Sequence, residues 1–453
     1  MDRVRICRTT HRAKSVISGK PAVIRAQPWT SPAAGPQAPA PPLARRGCYD
    51  EAVSPTRIAV FLAVVLGIVA AVHVYFWVRL VRDTALPGPY RPLISAALVI
   101  LAVCLPLPLL LARRLSPAGA HLLAWPSFLW MGFMFFLFVL LLAGDMLRLA
   151  AWVGTKAVTA GLPVVAAHDL ARRTLLARFL GGFAGLGAAA TGLIALRQGL
   201  REVVVKDVEV RLRRLPRESH GTTIVQLTDL HVGLTIGRPF IEDIVRRTNA
   251  LQPDIVAITG DLVDGPVASL WDAVAPLADL RARHGVFFVT GNHEFFSGVV
   301  PWIEALGRLG VKVLANERVS IGGAGGFDLA GVHDLSGGRF EVSGGRFDSD
   351  LPAALAGRDP QREVVLLAHQ PKSVAEAARL GVGLQLSGHT HGGQLWPFGL
   401  LVQLQQPFIA GLHQLGDTQI YVSPGTGYWG PPMRLGTRAE ITRIRLLSPQ
   451  VTD

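Results

Sequence analysis

The sequence predicts an α/β domain carried behind a helical membrane section. Apolar runs close to bilayer-spanning length are gathered before Leu200, and from Val203 onward short β-branched runs alternate with amphipathic stretches. Single Asp, Asn and His residues recur just past those β-branched runs, which marks the second half for metal chemistry.

Half of the 453 residues are hydrophobic and the mean hydropathy is +0.37, too apolar for a purely soluble enzyme. Ile58 to Val78, Leu93 to Ala112, Leu122 to Ala143 and Phe179 to Leu196 read as four transmembrane helices, with arginines clustered at their ends. The fourth is short and rich in Gly and Ala. His73, in the first run, has no acidic partner in that run and reads as a packed or interfacial residue. Residues 1–56 are basic and rich in Pro and Ala, a composition that cannot form a core; they read as a disordered tail, or equally as an upstream extension from a misplaced start codon. The expected organisation is therefore a tail (1–56), a membrane domain (57–200) and an α/β domain (201–453).

The net charge of +13 raises nucleic acid as a partner, but many arginines flank the apolar runs, where they meet lipid headgroups or set topology. No aromatic-basic RNA motif, helix-turn-helix or zinc finger accompanies them, so the expected partner is the bilayer and not nucleic acid. Cys7, Cys48 and Cys104 all precede the second half, which therefore has no disulfide framework, thiolate nucleophile or Cys-bound zinc.

In that half the predicted strands are Thr223 to Leu227, Ile255 to Thr259, Val286 to Thr290, Val364 to Leu367, Gln419 to Val422 and Ile441 to Leu446. Predicted helices include Pro239 to Asn249, Leu270 to Arg283 and Trp302 to Leu309. Strands alternating with helices imply a parallel sheet with ligands gathered at its carboxyl edge. Past the first strand comes TDLHVG, with Asp229 and His231; past the second, TGDLVDG, with Asp261 and Asp264. The third ends in TGNHEFF, with Asn292, His293 and Glu294, and the fourth in LLAHQP, with His369. SGHTHGG follows, with His389 and His391.

An H-x-H pair among glycines decides little alone, since a surface turn can carry one. Together Asp229, His231, Asp261, Asn292, His369, His389 and His391 offer oxygen and imidazole donors suited to Mn, Fe or Zn. Seven donors exceed what one four- to six-coordinate ion takes and suit two ions sharing a carboxylate.

The ordered blocks DLH, GDLVD, GNHE, a lone His after a strand and GHTHGG resemble those of the calcineurin-like metallophosphoesterase superfamily. The ending YVSPGTGYWGPPMRLGTRAEITRIRL is similar to that of a bacterial membrane-associated subgroup. The resemblance implies a four-layer αββα sandwich behind the helical transmembrane domain. It also implies that Asp229, His231, Asp261 and His391 hold one metal and Asp261, Asn292, His369 and His389 the other. His293 corresponds to the acid that protonates the leaving oxygen or stabilises transition-state charge, with in-line attack on phosphorus. Asp264 reads as an orienting residue, and Glu294 stands where many relatives have Asp. His284, His333 and His413 lack motif support and read as loop or surface residues, with His333 and Asp334 open to a cleft-facing role. Arg434 in PPMRLG is a candidate phosphate ligand, or a surface or salt-bridged residue.

Arg172 and Arg173 before the fourth run resemble a twin-arginine export signal, although Ala171 replaces the usual polar residue; the other reading is ordinary positive-inside arginines. Both leave the arginines cytoplasmic and the catalytic domain extracytoplasmic, against which stands the basic tail before the first run. The expected function is a membrane-anchored binuclear phosphoesterase acting on phosphodiester or pyrophosphate bonds of an envelope lipid or polymer. A tethered phosphomonoesterase or nucleotide phosphodiesterase is the second reading, and a non-catalytic metal-binding membrane scaffold the third.

Overall fold

A computed structural model describes residues 55–111, 117–158, 170–340, 342, 347–449 and 451. Nearly all of the tail expected at 1–56 lies outside them.

The helical part comprises α1 (Pro55–Trp77), continued by a π-helical turn to Arg82, then α2 (Tyr90–Cys104), α3 (Leu107–Leu111), α4 (Pro117–Val158) and α5 (Leu170–Gly199). Leu62–Arg82, Gly119–Lys156 and Ala171–Gly199 are long and apolar enough to cross a membrane. The second expected span is not one continuous helix. Pro106 and Pro108 interrupt it, and the 15 residues of α2 reach only about 22 Å, short of a hydrocarbon core of ~30 Å. Phe133 of α4 packs on Gly192 of α5, Leu140 on Gly187 and Leu180 on Gly144, so the two helices run antiparallel, with small residues permitting close approach. His73 is packed as expected, its Nε2 accepting the Trp130 indole N–H at 3.0 Å.

The remaining chain forms two six-stranded sheets. Its strands are β1 (Val204–Arg211), β2 (Thr223–Leu227), β3 (Ile255–Ile258), β4 (Val286–Phe288), β5 (Lys312–Val313), β6 (Glu317–Ile321), β7 (Phe327–Gly331), β8 (Val364–Leu367), β9 (Leu384–Ser387), β10 (Gly411–Leu415), β11 (Thr418–Val422) and β12 (Glu440–Leu447). One sheet has the order β1-β12-β2-β3-β4-β5, the other β10-β11-β9-β8-β7-β6. Ile224, Ala257, Phe287 and Ile444 of the first pack against Leu329, Val365, Leu367 and Leu386 of the second. The outer face of the first sheet is covered by α6 (Arg238–Ala250), α7 (Val267–Val274) and α9 (Val299–Arg308), around Ile241, Ile244, Val274 and Trp302. The second is covered by α10 (Leu351–Ala354) and α11 (Val374–Arg379), around Leu351, Ala354 and Ala377. The result is the four-layer αββα sandwich expected from the sequence.

Both sheets are mixed, and the strands that carry the candidate donors are parallel within each. β2, β3 and β4 run parallel in the first sheet, β8 and β9 in the second. Every residue of IVAI in β3 and VVLL in β8 is buried, as strands covered on both faces require. The short or exposed strands β5 and β10 carry no such run and left no clear sequence signal.

Candidate metal centre

The loop after β2 supplies Asp229 and His231, that after β3 Asp261, and that after β8 His369. Asn292 and His293 open α8 (Asn292–Ser297) after β4, and the turn after β9 supplies His389 and His391. Asp229, His231 and His391 converge on one point, His231, Asp261 and His293 on a second, and Asp261, His369 and His389 on a third. The Nε2 atoms of His231 and His391 are 3.1 Å apart, and His369 Nε2 is 3.2 Å from His389 Nδ1. Asp229 Oδ1 is 3.4 Å from His391 Nε2, and Asp261 Oδ2 lies 3.2 Å from His369 Nε2 and 3.8 Å from His231 Nε2. Two donors about 2.1 Å from one ion, roughly 90–110° apart, stand about 3.0–3.4 Å from each other, so most of these separations fit shared coordination. Asn292 Oδ1 is buried with no hydrogen-bond partner, a donor an ion would satisfy.

The backbone is bent to make this possible. Asp229, His231, Asp261, His389 and His391 all have φ between 49° and 70°, the left-handed region that costs side-chain-bearing residues about 1–3 kcal/mol each. Hydrogen bonds between loops hold these turns: Asp229 N–H donates to Gly260 O, His231 N–H to Asp261 O, and His389 N–H to the Asp229 carboxylate at 3.0 Å. Two glycines allow the loops to close. A Cβ at Gly291 would overlap the Asp261 carboxylate, and one at Gly388 the Asp229 carboxylate and Thr228.

Glu294, buried in α8, clamps two of these loops. One of its oxygens accepts N–H from Asp261 at 3.0 Å and Gly291 at 2.6 Å, the other from Leu262 at 2.8 Å. Burial and then the Asp261 charge push its carboxyl up to about 7, opposed by those donors. Asp264 accepts from Nδ1 of both His231 (2.9 Å) and His293 (2.7 Å), as an orienting residue should. The two histidines in turn hold its carboxyl far below the usual range against burial.

Burial opposes the charge of every histidine here, and carboxylates decide which resist. His231, beside Asp264, and His369, beside Asp261, are raised; burial lowers His391 and His389, and the neighbouring His231 and His369 lower them further. Each facing pair therefore sets one imidazole that favours positive charge against one that favours the neutral, ligating form. His293 is raised to about 9: burial opposes its charge, but the Asp264 hydrogen bond and Asp261 outweigh it.

Two sequence readings change. His333 is neither a surface nor a cleft residue: it is buried against Phe295 and Phe347, with Nδ1 3.2 Å from Thr290 Oγ1. Arg434 is fully buried and cannot meet substrate; its guanidinium donates to the carbonyls of Pro424 and Gly427 near His391. Trp429 and Phe296, unnoticed in the sequence, are exposed and each pack edge-on to His293 at 5.7 Å. His413 does sit on an edge strand, stacked on Phe408.

Imidazole and carboxylate donors gathered at the strand ends of an αββα sandwich form a candidate metal centre. The sequence profile of calcineurin-like phosphoesterases matches residues 222–393. The chain is 43% identical over 265 residues to a Bos taurus protein described as a transmembrane protein with metallophosphoesterase domain, covering 56% of this chain and 59% of that one. It is 40% identical over 252 residues to an uncharacterized metallophosphoesterase of Helicobacter pylori, covering 55% and 65%. With an uncharacterized metallophosphoesterase of Aquifex aeolicus it shares 35% identity over 244 residues, covering 53% of this chain and 91% of that one. The chain thus belongs to the calcineurin-like metallophosphoesterase family. Its matches span less than two thirds of the bovine and Helicobacter relatives, and the relatives include animal as well as bacterial proteins, so membership is shown for the family.

Proposed function

We propose that the chain is a membrane-anchored, binuclear metal-dependent phosphoesterase that hydrolyses phosphodiester or pyrophosphate bonds of an envelope lipid or polymer. The observation that supports it is the two facing histidine pairs on either side of Asp261, His231 with His391 at 3.1 Å and His369 with His389 at 3.2 Å. Asp229, His231, Asp261 and His391 would hold one Mn, Fe or Zn ion, and Asp261, Asn292, His369 and His389 the second. Bound there, the ions would supply phosphoryl polarisation and water activation.

The chain's own residues would do the rest. Asp264 fixes Nδ1 of His293, leaving Nε2 on the side of Asp261, 3.9 Å from its Oδ2, to give a proton to the leaving oxygen. Trp429 and Phe296 flank that imidazole with apolar surface. The helices would form a multi-pass anchor with the catalytic domain outside the cytoplasm. Supporting that sidedness, Arg79, Arg82, Arg148, Arg172, Arg173 and Arg178 gather at the end of the bundle remote from the metal centre.

Purified full chain should hydrolyse bis-p-nitrophenyl phosphate only with Mn, Fe or Zn added, and Asp261→Asn should abolish the activity. Turnover that survives chelation, or that variant, would sink the mechanism. A reporter fused after Asp453 tests the sidedness.

A further inference from the structure

The turn that carries His391 continues into an apolar segment that reaches the helical bundle. Leu395 and Met433 belong to the same buried cluster as Phe76, Phe136 and Ala188. Trp396 N–H donates to Leu435 O at 3.1 Å, and the Phe398 ring stands edge-on to Phe135 of α4 at 6.3 Å. Beyond this anchor lies α12 (Gly399–Val402); its Leu400 and Leu401 are exposed, as are Trp396 before it and Leu404 after it, Leu404 to 81%. Residues 380–416 contain no Lys, Arg, Asp or Glu.

The depth of this segment follows from helix register. Arg178 and Arg197 bracket the apolar stretch Phe179 to Leu196 of α5, which at ~1.5 Å per residue matches a hydrocarbon core of about 30 Å. Phe133 packs on Gly192, so Phe135 is level with about position 190, on the order of 10 Å inward from Arg197. Phe398, packed on Phe135, therefore lies within the leaflet. Trp429 is tied to the segment through Gln394, which accepts its N–H and donates to its carbonyl, while Met131 of α4 touches neighbouring Gly430. That places an exposed indole, and His293 behind it, at headgroup level.

We propose that Trp396 and α12 insert into the bilayer leaflet nearest the metal centre, so that the centre opens at the headgroup plane and takes the phosphate of a membrane lipid. The claim rests on the phosphoesterase reading for its substrate, not for the insertion. A surface dominated by Trp396, Leu400, Leu401 and Leu404, with Gln403 and Gln405 its exposed polar members and no charges, is continuous with helices of membrane-crossing length and suits the acyl-headgroup boundary, and the same turn fixes His391.

Two measurements on the full chain in phosphatidylcholine nanodiscs test this. With Cys7, Cys48 and Cys104 changed to Ser, a spin label at Leu404→Cys should be reached by oxygen and shielded from an aqueous nickel complex, unlike a label at Gln361→Cys. Equal nickel access at both positions overturns the insertion. The triple variant Leu400→Ser, Leu401→Ser, Leu404→Ser should lose about tenfold or more in kcat/KM on hexadecyl methylumbelliferyl phosphate in the discs. It should keep its rate on the soluble ethyl ester; equal losses on both esters, or none, overturn the lipid assignment. If the unaltered chain hydrolyses neither ester, the phosphoesterase reading fails while the labels still decide the insertion.

Discussion

Replacing Glu294 by Gln changes one buried atom and asks whether the loops of the metal centre depend on a carboxylate. Both oxygens accept backbone N–H groups, so an amide must turn an NH2 toward one set of donors. Facing Asp261 and Gly291 it loses two bonds; facing Leu262 it loses one good bond and the 3.4 Å contact from Val263. The second orientation is cheaper. A hydrogen bond to a charged acceptor contributes about 1.5–3 kcal/mol, so with a carboxyl raised to about 7 the variant should lose about that much when compared well above neutral pH, where the parent is ionised, and less below it. At roughly 2–4 °C per kcal/mol for a domain of this size, its Tm should fall by about 3–12 °C. Near-ultraviolet circular dichroism of the full chain in detergent reads this through buried aromatics such as Trp302. Metal content by mass spectrometry should fall with it, because Asp261 relies on the clamp for its left-handed backbone. A Tm within ~1 °C of the parent with undiminished metal would refute the clamp.

Asp264→Asn keeps the shape but removes the charge that orients His231 and His293, so kcat should drop about 10–100-fold with KM little changed. An unaltered kcat would show that His293 needs no such partner. Gly388→Ala places a methyl against Asp229 and should strip metal from the purified protein; normal metal content would mean the turn can relax. Arg434→Met keeps the aliphatic length but abandons the carbonyls of Pro424 and Gly427, which should cost about 2–4 kcal/mol in thermal unfolding, and an unchanged transition would contradict that role.

Much of the sandwich was legible because its central strands are apolar on both faces. Predicted Thr223 to Leu227 and Val364 to Leu367 coincide with β2 and β8. The site residues were legible for a related reason: each follows its strand directly, so local order along the chain is also order along the sheet edge. Edge strands such as β10, mostly exposed, carry no burial pattern to read. The interrupted second span is a different case: hydropathy sums over a window and is blind to Pro106 and Pro108, whose missing N–H groups break the helix between α2 and α3.

The sequence by itself determined which residues can hold metal and which runs are apolar, because donor chemistry and hydropathy belong to single side chains and their neighbours. Only the tertiary structure decided that the donors come from two sheets, that Glu294 ties two loops, that Arg434 is spent on backbone carbonyls, and that His391 shares its turn with a segment docked on α4. Each of these depends on atoms far apart in the chain, and burial assigns such roles only once packing has excluded water around them.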